Sequence, residues 1–116
     1  MVKLGIVLLS ALAFMVAPAH PDISAVWELQ ADFDDHSLPG AHVDCTFKQD
    51  AERLTGMCAD GIVTGEVKGD HAGWEVAIGA TDRFVFSGTI DENRTLITGR
   101  FVQGGKGGGP FFAVRR

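Results

Sequence analysis

An all-β domain, eight antiparallel strands in simple succession closed as an up-and-down barrel, is the fold this sequence predicts. Three observations carry the expectation. Beyond the N-terminal segment the apolar residues recur at period two rather than 3.6, as half-buried strands require. The alternating segments are short and bounded by Gly, Asp, Asn and Pro, and none has a helical period. The connections are brief, so sequential neighbours pair, and closing the ring of eight removes the exposed sheet edges. A two-sheet β-sandwich is the alternative arrangement of the same strands.

The predicted strands, in order, are AVWELQADF, AHVDCTFKQ, RLTGMCA, IVTGEVKG, GWEVAIG, RFVFSGTI, TLITGRFVQ and PFFAVRR. A turn at Ala51-Glu52 sets Gln49 opposite Leu54, Phe47 opposite Gly56 and Cys45 opposite Cys58. A second turn at Asp60-Gly61, residues that suit positive φ, sets Cys58 opposite Val63 and Leu54 opposite Val67. Turning at Asp70-His71 pairs Val67 with Trp74, the next hairpin pairs Val76 with Phe86, and a turn at Asn93-Arg94 pairs Ile90 with Ile97 and Phe86 with Phe101. One face then collects Trp27, Leu29, Val43, Phe47, Leu54, Val63, Val67, Trp74, Val76, Ile78, Phe84, Phe86, Ile90, Ile97, Phe101 and Phe111, while Glu, Lys, Thr, Ser and Arg fill the other. A slip of one residue would invert a strand, so agreement of the faces across successive turns supports the assignment.

Cysteines directly opposed on neighbouring antiparallel strands lie within disulfide reach, so Cys45 and Cys58 are expected to bridge the second and third strands. Four inward glycines share a pattern: Leu54-Thr55-Gly56, Val63-Thr64-Gly65, Phe86-Ser87-Gly88 and Ile97-Thr98-Gly99. Glycine inside a strand marks a bend or the close approach of something bulky. With Phe47 facing Gly56 and Trp74 facing Gly88, the missing side chains either admit large rings into a filled core or leave a cavity. A barrel of eight strands is at the size where both occur.

Residues 1-19 read as a secretory signal peptide: Lys3, an apolar run from Leu4 to Val16, and the small-residue site Ala17-Pro18-Ala19. The run is shorter than a spanning helix needs, so no membrane span is expected once it is removed. Lys3 is the only charged residue of that segment, so the domain 20-116 carries nine Lys and Arg against fifteen Asp and Glu. That balance, with no basic cluster beyond Arg115-Arg116, argues against nucleic acid as a partner. A 97-residue domain is small enough to gain from a covalent staple. A disulfide in an exported chain is consistent with a periplasmic or secreted location.

Ala25-Val26-Trp27 at the start of the first strand, with Arg115 near the end of the last, resembles the closure of the calycin superfamily of lipocalins and avidins. There a Gly-x-Trp opens strand one and an arginine from the last strand packs across the indole; Ala25 stands here in place of the glycine. The resemblance implies a barrel closed by Trp27 and Arg115. The span from Phe47 to Arg115 is also similar to small exported bacterial β-barrel modules, a likeness of structural motifs that brings no activity with it. Gly73 to Ile78, GWEVAI, is similar to an avidin strand that carries a ligand-contacting tryptophan, but Ile78 occupies that position and the chain has no tyrosine, which argues against biotin. A calycin-like family of metalloprotease inhibitors places a short N-terminal arm in the protease cleft, and residues 20 to 24 are of similar length.

Reactive side chains concentrate in and beside the first loop, at Asp32, Asp34, Asp35, His36, His42 and Asp44, with spacings that match neither an EF-hand nor a zinc motif. A solvated acidic loop is the expected reading, and no metal or cofactor is assigned. After cleavage His20 would offer an amine and an imidazole together, without an identified third ligand. The segment GGKGGGP lacks the Lys-Ser/Thr ending of a phosphate loop and reads as a hairpin connection. No nucleophile elbow or His-Glu-x-x-His pattern occurs, and the expectation is a binding protein, not an enzyme. The first candidate site is a small apolar ligand among Trp27, Trp74, Phe84, Phe86 and Phe101 at the barrel mouth; the alternative is an interaction module that meets an envelope protein, such as a periplasmic protease inhibitor.

Overall fold

The computed structural model describes residues 22 to 116; the assigned signal segment and His20 lie outside the described residues. The eight strands are β1 (Ala25–Ala31), β2 (Ala41–Asp50), β3 (Arg53–Cys58), β4 (Gly61–Lys68), β5 (His71–Ile78), β6 (Asp82–Ile90), β7 (Leu96–Gln103) and β8 (Gly107–Arg115). Each pairs antiparallel with the next and β8 pairs with β1, giving a closed up-and-down barrel rather than a sandwich. Cys45 and Cys58 are directly opposed, Cα–Cα 4.0 Å, and disulfide-bonded.

The pairings of β2 with β3 and of β6 with β7 follow the sequence reading, with Phe47 opposite Gly56 and Ile90 opposite Ile97. The three between them are displaced by two positions: Cys58 faces Gly61, Val67 faces Ala72, and Val76 faces Phe84. The cause lies in the turns. Ala59-Asp60, with Ala59 at φ 49°, replaces Asp60-Gly61, and Gly69-Asp70, with Gly69 at φ 61°, replaces Asp70-His71. An even displacement leaves each side chain on its face, so the inward set is retained while its partners change. Trp74 therefore lies opposite Gly65 and Phe86, and Gly88 lies opposite Ala72.

The interior is filled by rings in mutual contact. Trp27 leans on Phe47 (centroids 6.4 Å), Phe47 meets Trp74 edge-on (5.0 Å), and Trp74 stacks on Phe86 (5.2 Å), which stacks on Phe101 (5.6 Å). Phe111 presents an edge to both Trp74 and Phe86. Glycines make room for this column. A Cβ on Gly65 would lie 2.6 Å from Trp74 Cα, and one on Gly88 would lie 3.0 Å from Phe111 Cζ. Of the two readings of the inward glycines, the filled core holds for the barrel centre.

One end of the barrel is sealed. Trp27 Nε1 donates to Ile23 O (2.9 Å), drawing fully buried Ile23 beneath the indole. Arg115 lies opposite Trp27, its guanidinium 5.9 Å from the ring centroid. It donates to the carbonyls of Asp22, Arg94 and Ser24. Gln49 completes the seal, accepting from Ile23 N through Oε1 (3.0 Å) while its own N–H donates to Ser24 Oγ (2.8 Å). The arm Asp22 to Ser24 is thus a stopper of this end.

Candidate functional site

At the opposite end emerge the β1–β2 loop, the turn at Ala59-Asp60, the β5–β6 turn and the glycine-rich tip before β8. The β1 backbone continues past Ala31 along β8: Asp32 N donates to Pro110 O and Asp34 N to Gly108 O. Gly109 permits this close approach, since a Cβ there would stand 2.9 Å from Asp34 N. The continued pairing carries Phe33 to the mouth, edge-on to Phe101 at 5.1 Å. Leu38, half-buried in the same loop, packs against the core cluster.

Two cavities lie at this end. The smaller is about 80 Å³ and almost wholly apolar, bounded by Leu29, Val43, Cys58, Val76, Ile78, Phe84 and Phe86. The second, about 260 Å³, lies under the loop between Phe33, Leu38, Pro39, Phe84, Gln103 and Lys106. Ala41 and the half-buried Phe84 border both, so the Phe84 ring is the partition between them. Gln103 is the one buried polar residue of the described barrel, 8 % exposed.

The five aromatic residues expected at the mouth are distributed along the axis. Trp27 belongs to the sealed end, and Trp74 and Phe101 are core rings at 0 to 2 % exposure together with it. Of the five, Phe84 and Phe86 border a cavity at the mouth, while Trp74, with Phe86, also lines an open groove on the outer wall. The sequence reading placed Leu29, Val43, Val76 and Ile78 on the inward face without assigning them to a site. Phe33 and Gln103 are marked in the sequence by parity alone: both continue the inward row of their strands, from Trp27 through Phe33 and from Ile97 through Gln103. Leu38 had none.

The acidic loop residues are dispersed among separate partners. Asp34 pairs with Arg100, His42 Nε2 with Glu28 (2.9 Å), and Asp44 with Arg116 (3.0 Å). Asp35 accepts from the hydroxyl and the N–H of Ser37, which hold its carboxyl below the usual carboxylate range. No group of three metal-ligating side chains converges among the described residues. Asp22 is likewise lowered, chiefly by the Ser24 N–H, and Asp91 by the Thr95 N–H.

On the outer wall an open groove of about 800 Å³ runs over Gly73, flanked by Arg53, Glu66, His71, Glu75 and Ser87. Ser87 Oγ lies 3.3 Å from His71 Nε2. No carboxylate is hydrogen-bonded to that imidazole among the described residues, so the pair lacks the orienting third group of an activated hydroxyl. Comparison with known proteins returns no matching family, no matching curated protein and no matching solved structure.

Proposed function

We propose that this is an exported, non-catalytic binding protein that takes a small apolar ligand at the open end of its barrel. The observation that carries the reading is the apolar cavity behind Phe84, separated by one half-buried ring from the larger cleft beneath Phe33 and Leu38. Ligand pockets usually measure about 300–1,000 Å³. Neither cavity reaches that alone; with the Phe84 ring swung aside, the two together come to its lower end. The disulfide fits an oxidising compartment, and we place the protein in the periplasm or among secreted proteins. The Trp27–Arg115 closure supports a calycin-like assignment of the barrel.

Methyl NMR of the purified domain titrated with toluene tests the reading. Saturable shifts at Leu29, Val43, Val76 and Ile78, abolished by Ala41→Phe, are expected. Absence of any saturable shift would overturn it. The filled interior favours a second reading in that event: the mouth receives an apolar side chain of an envelope protein, and capture from the native envelope by cross-linking at Leu38 would detect it.

A further inference from the structure

We infer that the ligand is a short linear amphiphile with an uncharged hydrogen-bonding head, of the alcohol or amide class, the head resting on Gln103 and the aliphatic tail passing Phe84 into the apolar cavity. The inference rests on the mouth being the binding site and names the chemistry of its occupant.

Gln103 carries it. The residue continues the inward row Ile97, Gly99, Phe101 on β7, where every other position is apolar or glycine. At 8 % exposure it is more than nine-tenths buried. Its backbone is satisfied, since Gln103 O accepts from Lys106 N at 3.0 Å. No hydrogen bond among the described residues involves its side-chain amide, in contrast to Gln49, whose amide is used at the sealed end. The Gln103 amide is also not among the sealed, unpartnered atoms, where Trp74 Nε1 stands alone. It borders the cleft instead, beside Phe33, Leu38 and Phe84. The amide is open to the cleft and unclaimed by any protein group among the described residues, so it is available to a partner entering there, where a leucine would offer none. An amide offers both a donor and an acceptor, and a head that accepts and donates satisfies both.

Charge around the mouth decides between head groups. Lys106, at the hairpin tip, is the one charged residue bordering the cleft. Against it stand Asp32, beside the cleft residue Gly40, Asp60 next to the cavity residue Ala59, and Asp82 opposite Ile78. Arg100 is held by Asp34, and Arg83 lies 3.8 Å from Glu75. Three carboxylates beside residues of the two cavities outnumber the one ammonium, so an anionic head meets no excess of positive charge at the mouth. A cationic head meets Lys106 at the cleft itself. The uncharged head has neither penalty.

The test is an NMR titration of the full domain with four probes that share one tail: hexanamide, hexanoate, hexylammonium and hexane supplied from the vapour. Hexanamide is expected to bind most tightly of the polar three. Gln103→Leu is expected to weaken hexanamide roughly 2- to 12-fold, the range of one net hydrogen bond, while hexane holds or tightens. Equal effects of Gln103→Leu on hexanamide and hexane would overturn the head-group assignment and leave the apolar site standing. Hexanoate binding tighter than hexanamide, with the advantage lost in Lys106→Gln, would also overturn it, in favour of an anion. Failure of all four probes, hexane included, would overturn the site itself.

Discussion

Two glycines on neighbouring strands allow the filled interior to be tested without touching an aromatic ring. A Cβ at Gly88, which faces inward on β6, would stand 2.7 Å from Thr98 O, 3.0 Å from Ile97 Cγ2 and 3.0 Å from Phe111 Cζ. A Cβ at Gly73, which faces outward on β5, would meet only Phe86 O at 3.7 Å, ordinary van der Waals contact. Both residues have extended backbones with negative φ, so alanine is conformationally allowed at each. Replacing a strand glycine by alanine gains about 0.5–1 kcal/mol from the lower entropy of the unfolded chain. That gain is common to the two variants. Gly88→Ala alone incurs an overpacking cost of about 1–3 kcal/mol, because its neighbours are a carbonyl, a β-branched side chain and a ring already held between Trp74 and Phe86.

The difference between the variants therefore isolates the steric term. For a domain of this length one kcal/mol moves Tm by roughly 4–8 °C. Gly73→Ala should melt at or slightly above the parent, and Gly88→Ala at least about 4 °C below Gly73→Ala, followed by circular dichroism with the disulfide intact and confirmed by urea midpoints at constant m. Should Gly88→Ala melt with or above Gly73→Ala, the rings around Phe111 have slack, and the barrel centre is not packed as described.

Replacing both cysteines by serine opens a loop of sequence separation 13 and should cost about 3 kcal/mol, read as a lowered urea midpoint that matches the parent under reductant. Arg115→Met removes three hydrogen bonds to the carbonyls of Asp22, Arg94 and Ser24; about 1–3 kcal/mol is expected, with faster amide exchange at Ile23 as the local readout. Asp91 has its carboxyl lowered first by the Thr95 N–H and also by that of Leu96, so its contribution is present above the ordinary carboxylate value of about 3.9 and is lost as pH falls through the lower folded value. Asp91→Asn should accordingly reduce the acid dependence of the urea midpoint below about pH 4, and a carboxyl carbon titrating at or above the ordinary value in the parent would refute the assignment.

Strand number, the inward face and the disulfide were legible because each depends on parity: the period-two pattern fixes which side chains share an interior, and Cys45 opposite Cys58 follows from one turn at Ala51-Glu52. Register between β3 and β6 was not legible. Both Asp60-Gly61 and Ala59-Asp60 place Leu54 and Val63 inward, and choosing between them depends on whether an alanine takes positive φ, which composition does not reveal. That displacement brought Trp74 onto Phe86 instead of Gly88, removing room from the centre of the candidate site. The cover formed by Phe33 and Leu38 was hidden for another reason: it depends on Gly109 letting residues 32 to 34 run close alongside β8, a contact between segments far apart in sequence.

The two ends of the barrel differ in how their polar groups are used, and on the proposed reading that difference sets the binding end apart from the anchored one. At the sealed end, loop backbones bond across strands, Val67 N to Glu52 O at 2.8 Å and Ile90 N to Asp70 O at 2.6 Å, the Arg115 guanidinium is held by carbonyls of the arm, and the Gln49 amide is used by Ile23 N of the arm and Ala51 O of the neighbouring turn. At the open end the corresponding amide, Gln103, has no such partner, and the tip Gly104 to Gly107 has no side-chain neighbour within 4 Å of a Cβ built on Gly104, Gly105 or Gly107. Opening at that end is consequently cheap, since moving the tip and turning Phe84 breaks no side-chain hydrogen bond of the cleft, whereas opening at the other end breaks several at once. On the proposed reading, a ligand entering at the mouth displaces the Phe84 ring and the glycine-rich tip while residues 32 to 34 stay bonded along β8, and it meets a floor of stacked rings anchored from the far side.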